Sequence, residues 1–525
     1  MVLSAFLLLF LSMELSVAHR ILFLSPISTR SHTNFVKPVI KGLVERGHFV
    51  TYWNGLLAKN QGANALDETA NLRLLYSPEL DELCDDHNVD FGAGTNNVYL
   101  LFELPKRMEK YCKAIYRDPV FHQLMDSQEQ YDLIIVEAAV NECILPLVHK
   151  FDAPFIYTMG AMPMPWHLDA VSSPLAFDHY SHIGSSYKNE MNFWQRTYNT
   201  LSGVFSVYYW RWIVMPVADR LAAETLHIEN LPTIEKIENK YLSLLILNTN
   251  LGLNYQMATT PAVIQAGGIN LGPAKPLPHD LEKFVNDSGD AGCIIVSFGS
   301  LLRTSDLPDD MRRLFLSTFA RLPQRILWKW EDKNKIGNNE SIPSNVKFMS
   351  WLPQADLLGH PKMRLFITHG GVNSIQEAVY HNIPLIILPV FIDQPINAKK
   401  AEDDGFAIHL DWSNLTEEIL FDAIQKILTN SSYAGKMEKV SELMRDQMET
   451  PLDRVIYWIE YIIRHDGAPH LRTASRKLSL HQRFLFDVML FVFLVDILMF
   501  YVFIRVIRYF CCSGRIRKCD LKKNN

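Results

Sequence analysis

Short apolar runs alternate with amphipathic stretches along most of this chain. Ile21–Ile27 reads as a strand, and Thr33–Arg46 carries apolar residues at helical spacing and stops at Gly47. His48–Trp53 reads as a second strand, Leu133–Val136 as another, Cys143–Phe151 as a helix, and Phe155–Met159 as a strand entered through Pro154. This rhythm predicts a parallel sheet covered by helices. It lapses over residues 160–240, which are rich in Trp, Tyr, Phe, Met and Pro; Phe193–Trp212 has only Arg196 and Arg211 as charges. An acceptor pocket, a membrane-facing surface or a plain helical core would all show that pattern. Alternation then resumes, with strands at Cys293–Phe298, Arg325–Trp330, Val346–Ser350, Leu365–Thr368, Pro384–Val390 and Ala407–Leu410. Helices are expected at about 308–321, 354–359, 373–382, 393–404 and 415–429. Two doubly wound α/β domains facing a cleft account for the whole pattern, with ligands at the carboxyl ends of the strands.

The two ends differ from the middle. Residues 1–18 form an apolar run closed by Ser16-Val17-Ala18, as in a signal peptide with its cleavage site. Residues 484–504 are apolar apart from Asp487 and Asp496, long enough to cross a bilayer. Arg505, Arg508, Arg515, Arg517, Lys518, Lys522 and Lys523 follow it, a flank suited to the cytosol. Basic residues on the near side weaken that argument, so the signal peptide decides the orientation and places residues 19–483 in the lumen. Lys522-Lys523-Asn524-Asn525 resembles a dilysine retrieval signal of the endoplasmic reticulum. Asn286, Asn339, Asn414 and Asn430 head glycosylation sequons. Cys511 and Cys512 are candidate palmitoylation sites.

Composition narrows the function. The 525 residues are 48% hydrophobic and 21% charged with a net charge of −6, and no basic tract precedes the C-terminus, which argues against nucleic-acid binding. The luminal cysteines Cys84, Cys112, Cys143 and Cys293 lack metal-ligand spacing, so no metal is expected. Cys143 and Cys293 fall in or near apolar elements and read as core.

The chemistry concentrates in residues 351–394. The strand Leu365–Thr368 runs into His369-Gly370-Gly371, with a helix beginning near Asn373. Glycines let the backbone approach a ligand, and a helix N-terminus favours phosphate. Asn373, Ser374 and His369 add donors there or cap the helix. Glu377 lies one turn further in, placed for ribose hydroxyls or for solvent. Trp351 ends a strand and offers an aromatic face, with Gln354 beside it. Asp393 and Gln394 open a further helix as sugar ligands or as caps.

In order and spacing, WxPQ, FxTHGGxNSxxEA and PxxxxPxFxDQ resemble the signature of the UDP-glycosyltransferases of the UDP-glucuronosyltransferase group. Val296-Ser297-Phe298-Gly299-Ser300, Gly267-Gly268-Ile269 and Gly467-Ala468-Pro469-His470-Leu471 extend the resemblance, and the terminal signals bring it to nearly the full length. It implies the GT-B fold: an acceptor-binding domain at 19–265, a donor domain at 266–465, a juxtamembrane segment at 466–483, a transmembrane helix at 484–504 and a tail at 505–525. The UDP-sugar is then a co-substrate, and no cofactor is required. The resemblance places uracil at Trp351 and Gln354 and ribose at Glu377. It places the diphosphate at Ser300, His369, Gly371, Asn373 and Ser374, and the sugar at Asp393 and Gln394.

Inverting transfer needs a base for the acceptor hydroxyl, and histidine suits that role. His32 follows the first strand, where the family carries its catalytic histidine. Glu137 ends an apolar strand where the family usually has Asp; Asp132, at the other end, should point away. The stretch Leu244–Gln256 has no basic residue to meet a sugar carboxylate, which favours glucose over glucuronic acid. The aromatic segment points to a small lipophilic acceptor. A homo- or hetero-oligomer is compatible with all of this, as is a non-catalytic UDP-sugar-binding partner of an active homologue, although His32 and Glu137 favour an enzyme.

Overall fold

In the computed structural model, described over residues 18–56, 66–84, 97–300, 302–332, 335 and 342–523, the chain first builds a seven-stranded sheet. Its strands are β1 (Arg20–Ser25), β2 (Phe49–Asn54), β3 (Leu72–Tyr76), β4 (Leu133–Glu137), β5 (Phe155–Met159), β6 (Leu242–Leu247) and β7 (Val263–Gln265). Their order is β3-β2-β1-β4-β5-β6-β7, and every pairing is parallel. β4, β5 and β6 are buried along their whole length, as strands covered on both faces must be. A second, six-stranded parallel sheet follows: β8 (Cys293–Ser297), β9 (Arg325–Lys329), β10 (Val346–Met349), β11 (Met363–Thr368), β12 (Leu385–Ile387) and β13 (Ala407–His409). Its order is β10-β9-β8-β11-β12-β13.

Each sheet has one point where the strand order reverses. In the first it falls between β1 and β4, paired through Leu24 and Val136. In the second it falls between β8 and β11, paired through Ser297 and Thr368. Loops leaving adjacent strands at such a point diverge and open a crevice. The predicted base and acid follow β1 and β4; the predicted diphosphate residues follow β8 and β11.

Several predicted boundaries move. The first strand ends at Ser25, not Ile27, and the first helix spans Arg30–Glu45. Pro26 has no N–H for a ladder, and Thr29 caps the helix by accepting from the His32 N–H at 3.3 Å, so the helix starts three residues early. His32 therefore lies inside the first turn. Trp351 does not end a strand, because pairing with β9 stops at Met349. β3, β6 and β7 are additional strands.

The helix Pro451–Arg464 returns to the first sheet. Val455, Ile456, Ile459, Ile462 and Ile463 are buried at helical spacing in the first sheet's core. At about 2 kcal/mol for each buried aliphatic side chain, this contact outweighs any surface ion pair. Cys143 is core, as expected, but it is also bonded to Cys112, with the Cα atoms 5.3 Å apart. Cys84 and Cys293 are buried and not in a disulfide.

Residues 473–525 form a separate unit. It contains a helix, Phe486–Lys523, in which Phe486–Phe510 is long and apolar enough to cross a membrane. Those 25 residues span about 37 Å, against a hydrocarbon core of about 30 Å. The apolar stretch begins two residues later and reaches further than the expected 484–504, and takes in Arg505 and Arg508. Among the sequon asparagines, Asn286, Asn414 and Asn430 are exposed; Asn339 lies outside the described residues, as do the leader up to residue 17 and the last two residues of the tail.

Candidate active site

A cleft of about 1590 Å³ runs between the two sheets at the carboxyl ends of their strands. Every predicted catalytic and donor residue except Glu137 lines it, and Glu137 lies directly behind His32.

His32 Nδ1 and Glu137 Oε1 are 2.6 Å apart, with Glu137 fully buried. The bond fixes the imidazole with its proton on Nδ1 and leaves Nε2 as the basic nitrogen. Burial pulls the His32 pKa down, but the charge and hydrogen bond of Glu137, with a contribution from Asp393, leave it raised overall. Room for the ring depends on Gly160 at the end of β5: a Cβ there would sit 2.9 Å from His32 Cα and from the ring. Asp132 points away, as expected, and accepts from the Arg20 N–H at 2.7 Å.

The remaining first-sheet wall comes from the aromatic segment. Trp166 and Trp210 stack 4.5 Å apart and 7° from parallel. Beside Trp166, His167 Nδ1 accepts from the Met164 N–H, so Nε2 carries the proton and donates to Ala138 O. Burial pushes the His167 pKa down to about 4, so this ring stays neutral beside His32. Arg211, buried with Asp169 and Glu238, ties the helix under Trp166 to the turn bearing Trp210. Tyr198, Phe205 and Trp210 line the cleft, whereas Phe193 and Trp194 are exposed. The segment is thus neither plain core nor only pocket.

On the donor side, Trp351 is 53% exposed on the cleft wall, and Arg30 and Lys329 lie 6.0 and 5.7 Å from its ring centre. A large indole left half-bare between two cations offers a stacking face beside charge suited to a nucleoside diphosphate. Gln354 donates to Glu377 Oε2 at 2.6 Å and to Ser374 Oγ at 3.3 Å. Burial pushes the Glu377 carboxyl up to about 7, so it is not the solvated acid that position alone would allow. His369 is buried, held by Thr368 Oγ1, and kept neutral by burial and the nearby Lys329 charge, with its pKa pushed down to about 3. Gly371 heads the helix Val372–Tyr380; a Cβ on it would meet His369 Nε2 at 2.6 Å.

Three further predicted residues also have protein partners the sequence does not show. Asn373 donates to Ser31 O at 3.1 Å and accepts from Asn248 at 2.7 Å, so the donor helix touches the residue before His32. Gln394 accepts from the Val390 and Phe391 N–H groups. Asp393 stands at the N-cap position of its helix without a side-chain capping bond; it accepts from Asn397 and contributes to raising the His32 pKa. Ser300 follows β8 on the cleft wall. The stretch 244–256 contributes no lining side chain among the described residues. Arg30, Lys329 and Asn141 were missed by sequence reasoning. Lys329 alone carries a signal, as the one charge within the otherwise apolar stretch Ile326–Trp330.

Two facing doubly wound domains, with a histidine–carboxylate pair opposite a phosphate-type helix N-terminus, define a GT-B glycosyltransferase. The fold is shared with solved glycosyltransferases: the kitacinnamycin glycotransferase (TM-score 0.56, 17% identity, 85% of this chain and 98% of that one) and VinC in complex with dTDP (TM-score 0.57, 16% identity, 85% and 100%). The chain belongs to the family described as UDP-glucoronosyl and UDP-glucosyl transferase, which it matches over residues 79–524. It is similar to UDP-glucosyltransferase 2 of Dactylopius coccus, 31% identical over 95% of this chain and 94% of that one. It is also similar to human 2-hydroxyacylsphingosine 1-beta-galactosyltransferase (30% identical, 92% and 87%) and human UDP-glucuronosyltransferase 2B7 (28%, 94% and 94%). It is an enzyme of glycosyl transfer from a UDP-sugar.

Proposed function

We propose that this enzyme transfers glucose from UDP-glucose, with inversion, to a hydroxyl of a small lipophilic acceptor. The acceptor hydroxyl gives its proton to His32 Nε2 as its oxygen attacks the anomeric carbon, and the bond from that carbon to the UDP oxygen breaks. Glu137 stabilises the imidazolium. The leaving diphosphate takes up its negative charge at Ser300, His369, Gly371 and the N-terminus of helix Val372–Tyr380, with Asn373 and Ser374 beside it. Trp351 and Gln354 hold uracil, Glu377 the ribose, and Asp393 and Gln394 the sugar. No metal or cofactor takes part.

The observation that carries this reading is the bond from Asn373 to Ser31 O, which sets the donor helix one residue from the base. The Dactylopius coccus glucosyltransferase and the lack of a basic residue over 244–256 favour glucose over glucuronate. The stacked Trp166 and Trp210 favour a lipophilic acceptor. A formed disulfide suits an oxidising lumen, in line with a type I orientation in the endoplasmic reticulum and glycans on the sequon asparagines. The test incubates membranes bearing the full chain with UDP-glucose or UDP-glucuronate and a panel of phenols and steroids. UDP release with UDP-glucose is expected, and His32→Ala abolishes it while UDP still binds. Faster release with UDP-glucuronate would overturn the sugar assignment, and release with neither donor would overturn the reaction.

A further inference from the structure

The geometry points to Asn141 as a positioning residue for the proton-accepting pair, holding His32 and Glu137 in register from the far side of the carboxylate. The inference rests on the base role of His32 proposed above. Asn141 is fully buried, four residues beyond Glu137. Its Nδ2 lies 3.1 Å from Glu137 Oε2, 2.7 Å from Ile27 O and 3.0 Å from Glu137 O, and its Oδ1 accepts from the Ile27 N–H at 3.1 Å. One amide thus closes a two-way bond with the loop leading into the His32 helix and also grips the acid. The Ala139 N–H, at 3.1 Å, is the second donor to Glu137 Oε2. With Oε2 occupied twice, Oε1 is left for His32.

Glutamate has one more rotatable bond than aspartate, so a catalytic Glu needs an added restraint to present one oxygen reproducibly. The loop supplies it at a conformational cost: Val140 has a φ of 60°, a region that β-branched residues rarely enter. That turn carries the Asn141 amide back onto the carboxylate. Cys143, bonded to Cys112, anchors the loop two residues on.

The groups that set the charge state here come from several elements. Glu137, Asp393 and the neutral His167 face His32. Tyr52 and Glu142 lie beside Glu137. None of these residues is itself replaced in Asn141→Ala, so movement of the His32 titration in that variant reports on the lost amide, whereas Asn141→Asp adds a charge of its own.

The experiment measures kcat, KM and the pH profile of UDP release for the full-length protein in membranes, comparing wild type, His32→Ala, Asn141→Ala and Asn141→Asp. Asn141→Ala frees the carboxylate; kcat is expected to fall roughly 10- to 100-fold, as for other outer-shell partners, with donor KM within about twofold. Its acid limb moves to lower pH as the His32–Glu137 bond loosens. Asn141→Asp keeps the shape but adds a carboxylate against Glu137, and its acid limb moves up by roughly one unit. A residue that only supports the fold would lower the amount of active enzyme without moving either limb. An unmoved acid limb in Asn141→Ala, or an undiminished kcat in that variant, would overturn the positioning role. Transfer surviving in His32→Ala would overturn the base assignment and this inference with it.

Discussion

Replacing Glu137 with glutamine tests the proton-accepting pair directly. The wild-type carboxylate meets His32 Nδ1 at 2.6 Å in a buried setting, and the pair raises the His32 pKa above its usual 6.5 despite burial. The base acts in its neutral form, so transfer falls as pH drops through that pKa, and the acid limb of kcat/KM lies above 6.5. A hydrogen bond to a charged partner contributes about 1.5–3 kcal/mol. Losing it weakens the protonated form of His32 and lowers the limb. Burial then dominates, and the base titrates below its ordinary value. The amide can also donate to Nδ1 and so select the wrong tautomer, which in the comparable serine-protease substitution costs about 10⁴ in rate. The expected result is a plateau lower by roughly 10³-fold or more, with the acid limb displaced downward. Initial rates of UDP release between pH 5 and 9, with donor binding measured separately, read both quantities. A Glu137→Gln enzyme with a reduced plateau and an unmoved limb would refute the coupling.

Gly160→Ala should abolish transfer while UDP binding persists, because the new Cβ falls 2.9 Å from the His32 backbone and ring; acceptor-dependent UDP release and UDP titration separate the two effects. The Glu377 carboxyl, pushed up to about 7 by burial, should make UDP affinity fall about tenfold per unit below that pH if ribose binds the carboxylate. Calorimetry from pH 5.5 to 8.5 checks this, and Glu377→Gln should flatten the profile. Replacing both Cys112 and Cys143 by Ser opens a link across a sequence separation of 31, for which chain entropy gives about 3.7 kcal/mol. The expected outcome is a lower denaturation midpoint, with alkylation before reduction labelling neither cysteine in the wild type.

The strands that frame the cleft were legible because burial on both faces makes the body of each a short, mostly apolar run between turn residues. β1, β4, β8 and β11 were all visible this way; the two reversal points that place His32, Glu137, Ser300 and His369 emerge only from the strand order of the fold. β3 was not legible, since Arg73 and a half-exposed edge interrupt its pattern. β7 has three residues, too few to show a period. At the site, sequence marks which groups gather but not which bond one another. The family resemblance assigns Gln354 and Glu377 to separate parts of the nucleoside, yet they are hydrogen-bonded partners. Asn373 spends its amide on Ser31 and Asn248, contacts across 342 and 125 residues that no local pattern encodes. Asn141 is likewise invisible in sequence, because its importance comes from a backbone turn that brings the amide back onto Glu137.

The helix Pro451–Arg464 has a consequence for anyone who exchanges halves between members of this family. Its aliphatic face belongs to the core of the first sheet, and a Cβ on Gly42 would already lie 3.2 Å from Leu452. A chimera joined only between the two sheets would pair one parent's acceptor half with the other parent's closing helix. Mismatched volumes at Gly42, Leu452 and Ile456 would then appear as poor expression and be mistaken for altered specificity. A transplant of acceptor preference should carry residues 451–464 along with the N-terminal half, making two crossovers in place of one.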